Sequence, residues 1–196
     1  QINAIKLNTK NHFTWTSGIR SPIYCDNRLI LSYPVVRGFI ADRISNLIRE
    51  NYSDDVTIAG IATGAIAIGI MVAERLDLPY CYVRPEPKKY GLKNQIEGSI
   101  KEGSKVIVIE DLISTGKSSL SAINALRDNG YEVLGMISIF SYNFDFANKK
   151  FVDEKIKINF LADYNTLIEM LGSDGSHSNI EIDRLMSWRE NPRTWN

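Results

Sequence analysis

The sequence predicts a single α/β domain with a central, mainly parallel sheet flanked by helices. Short β-branched runs such as 56–61 and 106–109 have the length and composition of buried strands. Helical patterns such as 66–76 follow these runs, and that alternation is typical of a parallel sheet. Because no internal repeat or low-complexity linker divides the 196 residues, we expect one domain over 1–196.

Composition and charge restrict the classes of function. The chain has 23 basic and 23 acidic residues, so no global field favours nucleic acid or a membrane surface as a partner. Its two cysteines, Cys25 and Cys81, lack metal-ligand spacing and are too few for a disulfide framework, which predicts a reducing cytoplasm. No apolar run has transmembrane length, and the first residues show no signal-peptide pattern.

The stretch 105–119 contains the strongest functional pattern. Four apolar residues are followed by Glu110 and Asp111, then by the hydroxyl-rich turn 114–119, and then by a helical pattern. Backbone N–H groups at such a helix start bind anions, and Gly116 leaves room for close approach. Because carboxylates repel phosphate, we expect Glu110 and Asp111 to bind sugar hydroxyls or a hydrated Mg²⁺ instead.

Two other interpretations of this stretch remain open. A nucleotide P-loop requires glycine five residues before the Gly-Lys pair, but Asp111 stands there and would repel phosphates. In the other interpretation, the two acids only cap the following helix and face solvent. The position of the acidic pair directly after an apolar strand favours a functional role.

The pattern of strand, two acids, two variable residues and Thr-Gly resembles the signature loop of the type I phosphoribosyltransferases. That loop binds the ribose 5-phosphate part of phosphoribosyl pyrophosphate (PRPP). The resemblance implies the type I phosphoribosyltransferase fold, with about residues 1–30 forming a small hood. It also implies that nine residues contact PRPP: Glu110, Asp111, Leu112, Ile113, Ser114, Thr115, Gly116, Lys117 and Ser118. Thr63 and Gly64 match a turn whose backbone amides contact the pyrophosphate, although some relatives have lysine at Gly64.

The segment 13–28 reads FTWTSGIRSPIYCDNR and interleaves aromatic with charged residues. Its pattern predicts two short strands, one near 13–15 and one near 23–24, joined by a Ser17-Gly18 turn. Residues 1–12 are weakly patterned, and we interpret them as part of a short helix. The simplest alternative is a hairpin that buries its aromatic residues for stability alone.

The same segment resembles the orotate-recognition hairpin of the orotate phosphoribosyltransferases, a member family of that superfamily. The resemblance implies that the orotate ring packs on Tyr24 and that backbone amides of its strand, including that of Cys25, contact the pyrimidine edge. It also implies that Ser114 lies near orotate. Some relatives have lysine in place of Thr16, so Arg20 or backbone donors are candidates for the orotate carboxylate. Some also have arginine at about Tyr142, which implies a less cationic base site here.

The segment 84–98 contains one arginine and three lysines and is almost devoid of apolar residues. A solvated surface loop is one interpretation. The segment also resembles the flexible catalytic loop of the same family, which closes over the neighbouring subunit's site in a homodimer. In this resemblance Arg84 and Lys88 match the arginine and the main catalytic lysine that meet the pyrophosphate. Pro85 and Tyr90 depart from a lysine and a histidine, although a tyrosine hydroxyl still donates a hydrogen bond.

Taken together, the resemblance implies transfer of a phosphoribosyl group from PRPP to orotate, with Mg²⁺ carried mainly by PRPP. The implied catalytic residues are Arg84, Lys88 and Asp111, and Glu110 and Asp111 are candidates to hold the ion through water. A purine or xanthine phosphoribosyltransferase would share the signature loop but lack the hairpin. A regulator that binds RNA on the same fold would need a basic face, against which the balanced charge argues.

Overall fold

The structure is a computed structural model that describes residues 2–9, 11–15, 17–86, 94–175 and 177–195. Its strands in these ranges are β1 (Ile5–Leu7), β2 (Phe13–Thr14), β3 (Arg20–Ser21), β4 (Ile23–Cys25), β5 (Thr57–Ile61), β6 (Tyr80–Val83), β7 (Ile96–Glu97), β8 (Lys105–Ile113), β9 (Glu132–Ser141) and β10 (Ile158–Asp163). Its α-helices are α1 (Pro34–Asn51), α2 (Ile66–Leu76), α3 (Lys117–Asp128), α4 (Asp145–Asp153), α5 (Tyr164–Ser173) and α6 (Asn179–Glu190). No helix in these ranges is both long and apolar enough to cross a membrane.

The central sheet has six strands in the order β10-β9-β8-β5-β6-β7. All neighbouring pairs are parallel except β6 with β7, so the predicted mainly parallel sheet is confirmed. The chain passes from β5 to β6 on one side of the sheet and later adds β8 on the other side of β5. This reversal opens a crevice at the carboxyl ends of β5 and β8, where ligands of open α/β sheets bind.

Two apolar layers enclose the sheet. Side chains alternate along β8, so Ile107 and Ile109 join the core under α1 and α2, whereas Val106 and Val108 join the core under α3. Because both faces are covered, the strand has no polar residue between 106 and 109.

A third core, rich in aromatic residues, joins the N-terminal strands to the C-terminal helices. Ile23, Tyr142, Tyr164 and Trp188 are fully buried in it. The indole Nε1–H of Trp188 donates to the main-chain oxygen of Arg20 at 2.8 Å. Helix α6 therefore holds the hood segment against the end of β9.

The hood differs from the predicted hairpin. The Ser17-Gly18 turn is confirmed, with Gly18 at φ +83°, but the partner of β2 is β3, not the strand near 23–24. That later strand, β4, pairs instead with β1, so the short helix expected within residues 1–12 is wrong for 5–7. Pro22 explains the change, because it lacks an N–H and separates β3 from β4.

Candidate active site

A cavity of about 760 Å³ lies between the hood and the carboxyl ends of β5 and β8. The hood, the strand ends and the start of α3 all contribute to its wall. The lining residues are Thr14, Trp15, Ser17, Tyr24, Cys25, Ile61, Ala62, Arg84, Pro85, Leu112, Ser114, Thr115, Lys117, Ser118, Ser121, Ala122 and Tyr142.

The turn 114–118 joins β8 to α3 and forms one end of the cavity. Gly116 occupies the position before α3 with φ +73°, a left-handed conformation that favours glycine. A Cβ atom there would also lie 3.0 Å from the Phe151 ring. The main-chain oxygen of Gly116 accepts from the Leu120 N–H at 3.0 Å and so begins the helix. The cavity therefore meets a helix N-terminus and the Lys117 ammonium side chain, an arrangement suited to an anion.

Glu110 lies beneath this turn rather than in the cavity wall. Its side chain is buried, and its oxygens accept from the Ser119 hydroxyl at 2.9 Å and from the Asp111 N–H at 3.1 Å. Burial, followed by the charge of Asp111, raises the pKa of the Glu110 carboxyl well above its ordinary value. The contact of Glu110 with sugar hydroxyls stays a prediction.

Asp111 lies against the turn that follows β5. A Cβ atom on Gly64 would overlap the Asp111 carboxylate, so the glycine allows the two segments to touch. The Asp111 main-chain oxygen accepts from the side-chain amide of Asn27 at 2.6 Å, which connects the hood to β8. The Ala62–Thr63 peptide bond in this turn is cis. Asp111, Thr63 and Gly64 are not lining residues, but each adjoins one along the chain or through the others, since Ala62 and Leu112 line the cavity.

The opposite end of the cavity is more apolar. The Tyr24 ring is 37% exposed and lies 5.7 Å from the Phe13 ring, centroid to centroid. Burial, with the charges of Asp111 and Asp26, raises the pKa of the neighbouring Cys25 thiol to about 12. That thiol is therefore neutral near pH 7 and donates to the Asn27 side chain at 3.4 Å.

Tyr142 closes this apolar end. It is 1% exposed, yet it belongs to the cavity wall, and burial raises the pKa of its hydroxyl above the ordinary value. Its ring stacks on Phe144, with centroids 5.6 Å apart and planes 8° apart. The wall at this end therefore presents the Tyr24 ring and a neutral phenol.

Arg84 enters the cavity wall from the end of β6. Its main chain exchanges hydrogen bonds with Gln95, from the Arg84 N–H to the Gln95 carbonyl at 2.8 Å and from the Gln95 side chain to the Arg84 carbonyl at 3.0 Å. Its guanidinium lies 3.5 Å from the Glu97 carboxylate. The two strands at the base of the 84–98 segment thus position Arg84, whereas Lys88 and Tyr90 lie outside the described residues.

Comparison with known proteins decides the family. A model of the phosphoribosyl transferase domain matches residues 32–165. An orotate phosphoribosyltransferase of Porphyromonas gingivalis is 48% identical over the whole chain and 93% of its own length, and that of Bacillus caldolyticus is 49% identical over the whole chain and 94% of its own. The chain belongs to the orotate phosphoribosyltransferase family.

Solved structures agree with this family membership. The orotate phosphoribosyltransferase of Aeropyrum pernix superposes with a TM-score of 0.74 at 27% identity, covering 87% of this chain and 95% of that one. The UMP synthase of Leishmania donovani gives 0.78 at 25% identity and covers 96% of this chain, which spans only 40% of that longer protein. The predicted type I phosphoribosyltransferase fold is confirmed.

The structure brings eight of the seventeen residues that the sequence assigned to the site into the wall of one cavity. Tyr24, Cys25, Arg84, Leu112, Ser114, Thr115, Lys117 and Ser118 line one cavity. Ile113 and Gly116 support it from behind and are not lining residues. Arg20 is exposed, and its guanidinium lies 3.3 Å from Nδ1 of His12, so its contact with an orotate carboxylate stays a prediction.

Sequence reasoning gave no site role to several residues of the cavity wall, among them Ser121 and Trp15. Ser121 lies three residues after Ser118 on α3, and helical periodicity alone would have placed both on the cavity side. Trp15 lines the wall with its ring 4.6 Å from that of Tyr142, and its indole donates to the Ile23 carbonyl at 3.2 Å. The sequence placed Trp15 in the predicted hairpin but gave it no site role, because its contact with Tyr142 joins distant parts of the chain.

Proposed function

We propose that this chain transfers the 5-phosphoribosyl group from PRPP to orotate, giving orotidine 5′-monophosphate and pyrophosphate for pyrimidine biosynthesis. The observation that carries the proposal is one cavity that has an aromatic end at Tyr24 and, at 114–118, a turn before a helix N-terminus that is suited to an anion. A nucleoside monophosphate needs such a pair of ends, one for a flat base and one for a phosphate. The full-length relatives at 48% and 49% identity are named for this reaction.

The 5-phosphate occupies the turn 114–118, where it meets the helix N-terminus and Lys117. Asp111, with Glu110 buried beneath it, receives the ribose hydroxyls. The backbone of Thr63 and Gly64 receives the pyrophosphate, because this turn touches Asp111 at the border of the cavity. With these assignments, PRPP extends through the cavity from the turn 114–118, which binds its 5-phosphate, toward Arg84.

Orotate packs on Tyr24 at the aromatic end. The backbone at Cys25 and the side chain of Ser114 offer polar contacts to its edge, and Arg20 is the candidate for its carboxylate. Tyr142 and Trp15 close the wall with apolar surface. Such a slot selects a flat ring by shape and stacking.

The reaction breaks the bond between ribose C1 and the pyrophosphate oxygen and forms a bond from C1 to an orotate nitrogen. Positive charge develops on the sugar, and negative charge develops on the pyrophosphate. Arg84 and Lys88 stabilise that leaving group, and the cavity holds both reactants in line. The 84–98 segment excludes water from the ribosyl carbon.

Mg²⁺ is the proposed cofactor, carried mainly by PRPP. The described residues offer no group of three or more His, Cys, Asp or Glu side chains that would hold a metal ion. The donors at hand are Asp111 at the cavity border and the buried Glu110, which fits an ion bound chiefly through substrate oxygens and water. When bound, the ion supplies charge neutralisation at the pyrophosphate.

The active assembly is proposed to be a homodimer in which the 84–98 segment reaches the neighbouring subunit's site. At the described base of that segment, Arg84 lies in the cavity wall and is hydrogen-bonded to Gln95. The proposed compartment is the cytoplasm, because Cys25 and Cys81 are both free and buried.

A panel of bases tests the proposed reaction. Purified protein is supplied with PRPP and Mg²⁺ and with orotate, uracil, adenine, hypoxanthine or xanthine in turn, and pyrophosphate release is measured. We expect release with orotate and little with the others. Release with a purine instead would keep the phosphoribosyltransferase family and overturn orotate as the substrate.

A further inference from the structure

Helix α4 supports the phosphate turn from behind through two consecutive residues. The Lys150 ammonium donates to the main-chain oxygen of Thr115 at 3.3 Å. Phe151 is buried, and its ring fills the space that a side chain at position 116 would need. Thr115 lines the cavity, whereas Lys150 and Phe151 do not. The two α4 residues therefore contact the turn on its far side.

The lysine contact fixes the direction of one peptide group. In a trans peptide the C=O and the following N–H point in opposite directions. Because Lys150 draws the Thr115 oxygen toward α4, the Gly116 N–H points away from α4 and toward the cavity side of the turn. Without a partner, the same carbonyl oxygen would be free to turn toward a bound phosphate and repel it.

The ammonium also adds positive charge behind the turn. Lys150 is half-buried, so its charge is less screened than that of the adjacent Lys149, which is exposed. A charged donor makes a stronger hydrogen bond to a carbonyl than a neutral one does. The turn therefore has one cation in the cavity wall, Lys117, and a second one behind it.

We propose that Lys150 is a positioning residue for the 5-phosphate of PRPP. It holds the Thr115–Gly116 peptide group in the orientation that presents an N–H to the phosphate, and it strengthens the positive field of the turn. The inference rests on the proposed function only in naming PRPP as the ligand. Because Lys150 is remote from the bond that breaks, its loss weakens phosphate binding and leaves the chemical step unchanged.

The test compares Lys150→Met, Lys150→Arg and the matched control Lys149→Met on the same helix. Binding of ribose 5-phosphate is measured by calorimetry, and kcat and KM for PRPP are measured in the orotate reaction. We expect Lys150→Met to weaken ribose 5-phosphate binding about tenfold, the loss typical of one charge-assisted hydrogen bond. KM for PRPP should rise by a similar factor with kcat and KM for orotate unchanged. Lys150→Arg should restore most of the affinity, and Lys149→Met should match the unsubstituted protein.

Thermal melting of each variant shows whether it is folded. A Lys150→Met variant that folds and binds ribose 5-phosphate normally would overturn the positioning role, as would a fall in kcat at unchanged KM. If Lys150→Met does not fold, Lys150→Arg decides, since normal binding supports the role and weakened binding contradicts it. Because the calorimetry needs no turnover, an unsubstituted protein that binds ribose 5-phosphate but leaves orotate unreacted would overturn the proposed reaction and leave this inference standing.

Discussion

At the scale of single residues, the two adjacent acids divide their work because a strand alternates its faces. Glu110 lies on the face of the sheet covered by α3, where its carboxyl accepts a hydrogen bond from the Ser119 hydroxyl. Asp111 lies on the other face, against the turn that contains Gly64. The sequence predicted that both acids contact sugar hydroxyls or Mg²⁺, with a catalytic role for Asp111 alone, and did not predict that their side chains separate. Their separation depends on β8 continuing through them to Ile113, which the apolar run 106–109 does not reveal.

The buried Glu110 should make the stability of the protein depend on pH. Its pKa in the folded protein is raised above 4.5, so its contribution is fully present below that pH and is lost as the pH rises through the folded-state value. We expect Glu110→Gln to flatten this fall in urea-unfolding free energy as the pH rises above 4.5. The exposed Glu102→Gln serves as control, and an unchanged slope in Glu110→Gln would contradict the assignment.

The contact between Gly64 and Asp111 predicts an asymmetric effect of adding one methyl group. Gly64→Ala should cost roughly 1–3 kcal/mol in unfolding free energy and raise KM for PRPP, because the methyl group overlaps the Asp111 carboxylate. Gly172→Ala, in α5 with no atom nearby, should stabilise the protein by roughly 0.4–1 kcal/mol. Equal effects of the two substitutions on chemical denaturation would refute the predicted crowding.

The lysine that the sequence assigned to the leaving group offers a kinetic test. We expect Lys88→Ala to lower kcat for the orotate reaction far more than it weakens PRPP binding, because the developing pyrophosphate charge needs it most in the transition state. The exposed Lys101→Ala controls for removal of a cation elsewhere. Steady-state kinetics with an unchanged kcat would remove Lys88 from the mechanism.

At the scale of elements, the sequence predicted the sheet better than the hood. The helix at 66–76 has the predicted bounds, since its apolar periodicity is unbroken. The local sequence does not determine which short strands pair. In the structure β4 pairs with β1, whereas the predicted hairpin required it to pair with β2. Helix α4 was also missed, although Lys150 and Phe151 in it support the phosphate turn. The helix is only nine residues long, too short to be stable in isolation, so tertiary contacts stabilise it.

Because α6 packs on the hood, a substitution in α6 should lower the stability of the protein and weaken orotate binding at the base end of the cavity. Trp188→Phe removes the indole donor to the Arg20 carbonyl and leaves that oxygen without this partner. We expect a loss of about 1–3 kcal/mol in unfolding free energy. We also expect the substitution to raise KM for orotate by a larger factor than KM for PRPP. A variant with normal stability and normal KM for both substrates would show that α6 does not hold the hood in place.

At the scale of the whole molecule, the reversal of strand order places the two substrate ends around one crevice. The proposed phosphate end comes from the sheet at β8 and α3, and the proposed base end comes from the hood and the buried aromatic cluster near Tyr142. The sequence predicted the phosphate end from contiguous residues. The base end joins residues more than a hundred positions apart, and for it the resemblance supplied the Tyr24 segment, Ser114 and the position of Tyr142, but not Trp15.

The proposed reach of the 84–98 segment into a partner site predicts complementation. Lys88→Ala and Asp111→Asn dimers should each be nearly inactive alone. Random mixing makes about half of the dimers mixed, and each mixed dimer has one intact site of two, so activity should recover to about a quarter of the unsubstituted level. Activity in the mixture equal to that of the two separate variants would place the segment over its own subunit's site.

The central claim is that this cavity carries out a phosphoribosyl transfer to orotate. The most direct measurement is the loss of orotate absorbance in the presence of PRPP, with and without Mg²⁺. The account predicts steady loss of orotate when PRPP and Mg²⁺ are both present. It predicts almost no loss when PRPP or Mg²⁺ is left out. Unchanged orotate, in a preparation that demonstrably binds PRPP, would contradict the claim. The aromatic end of the cavity would then be assigned to a base other than orotate.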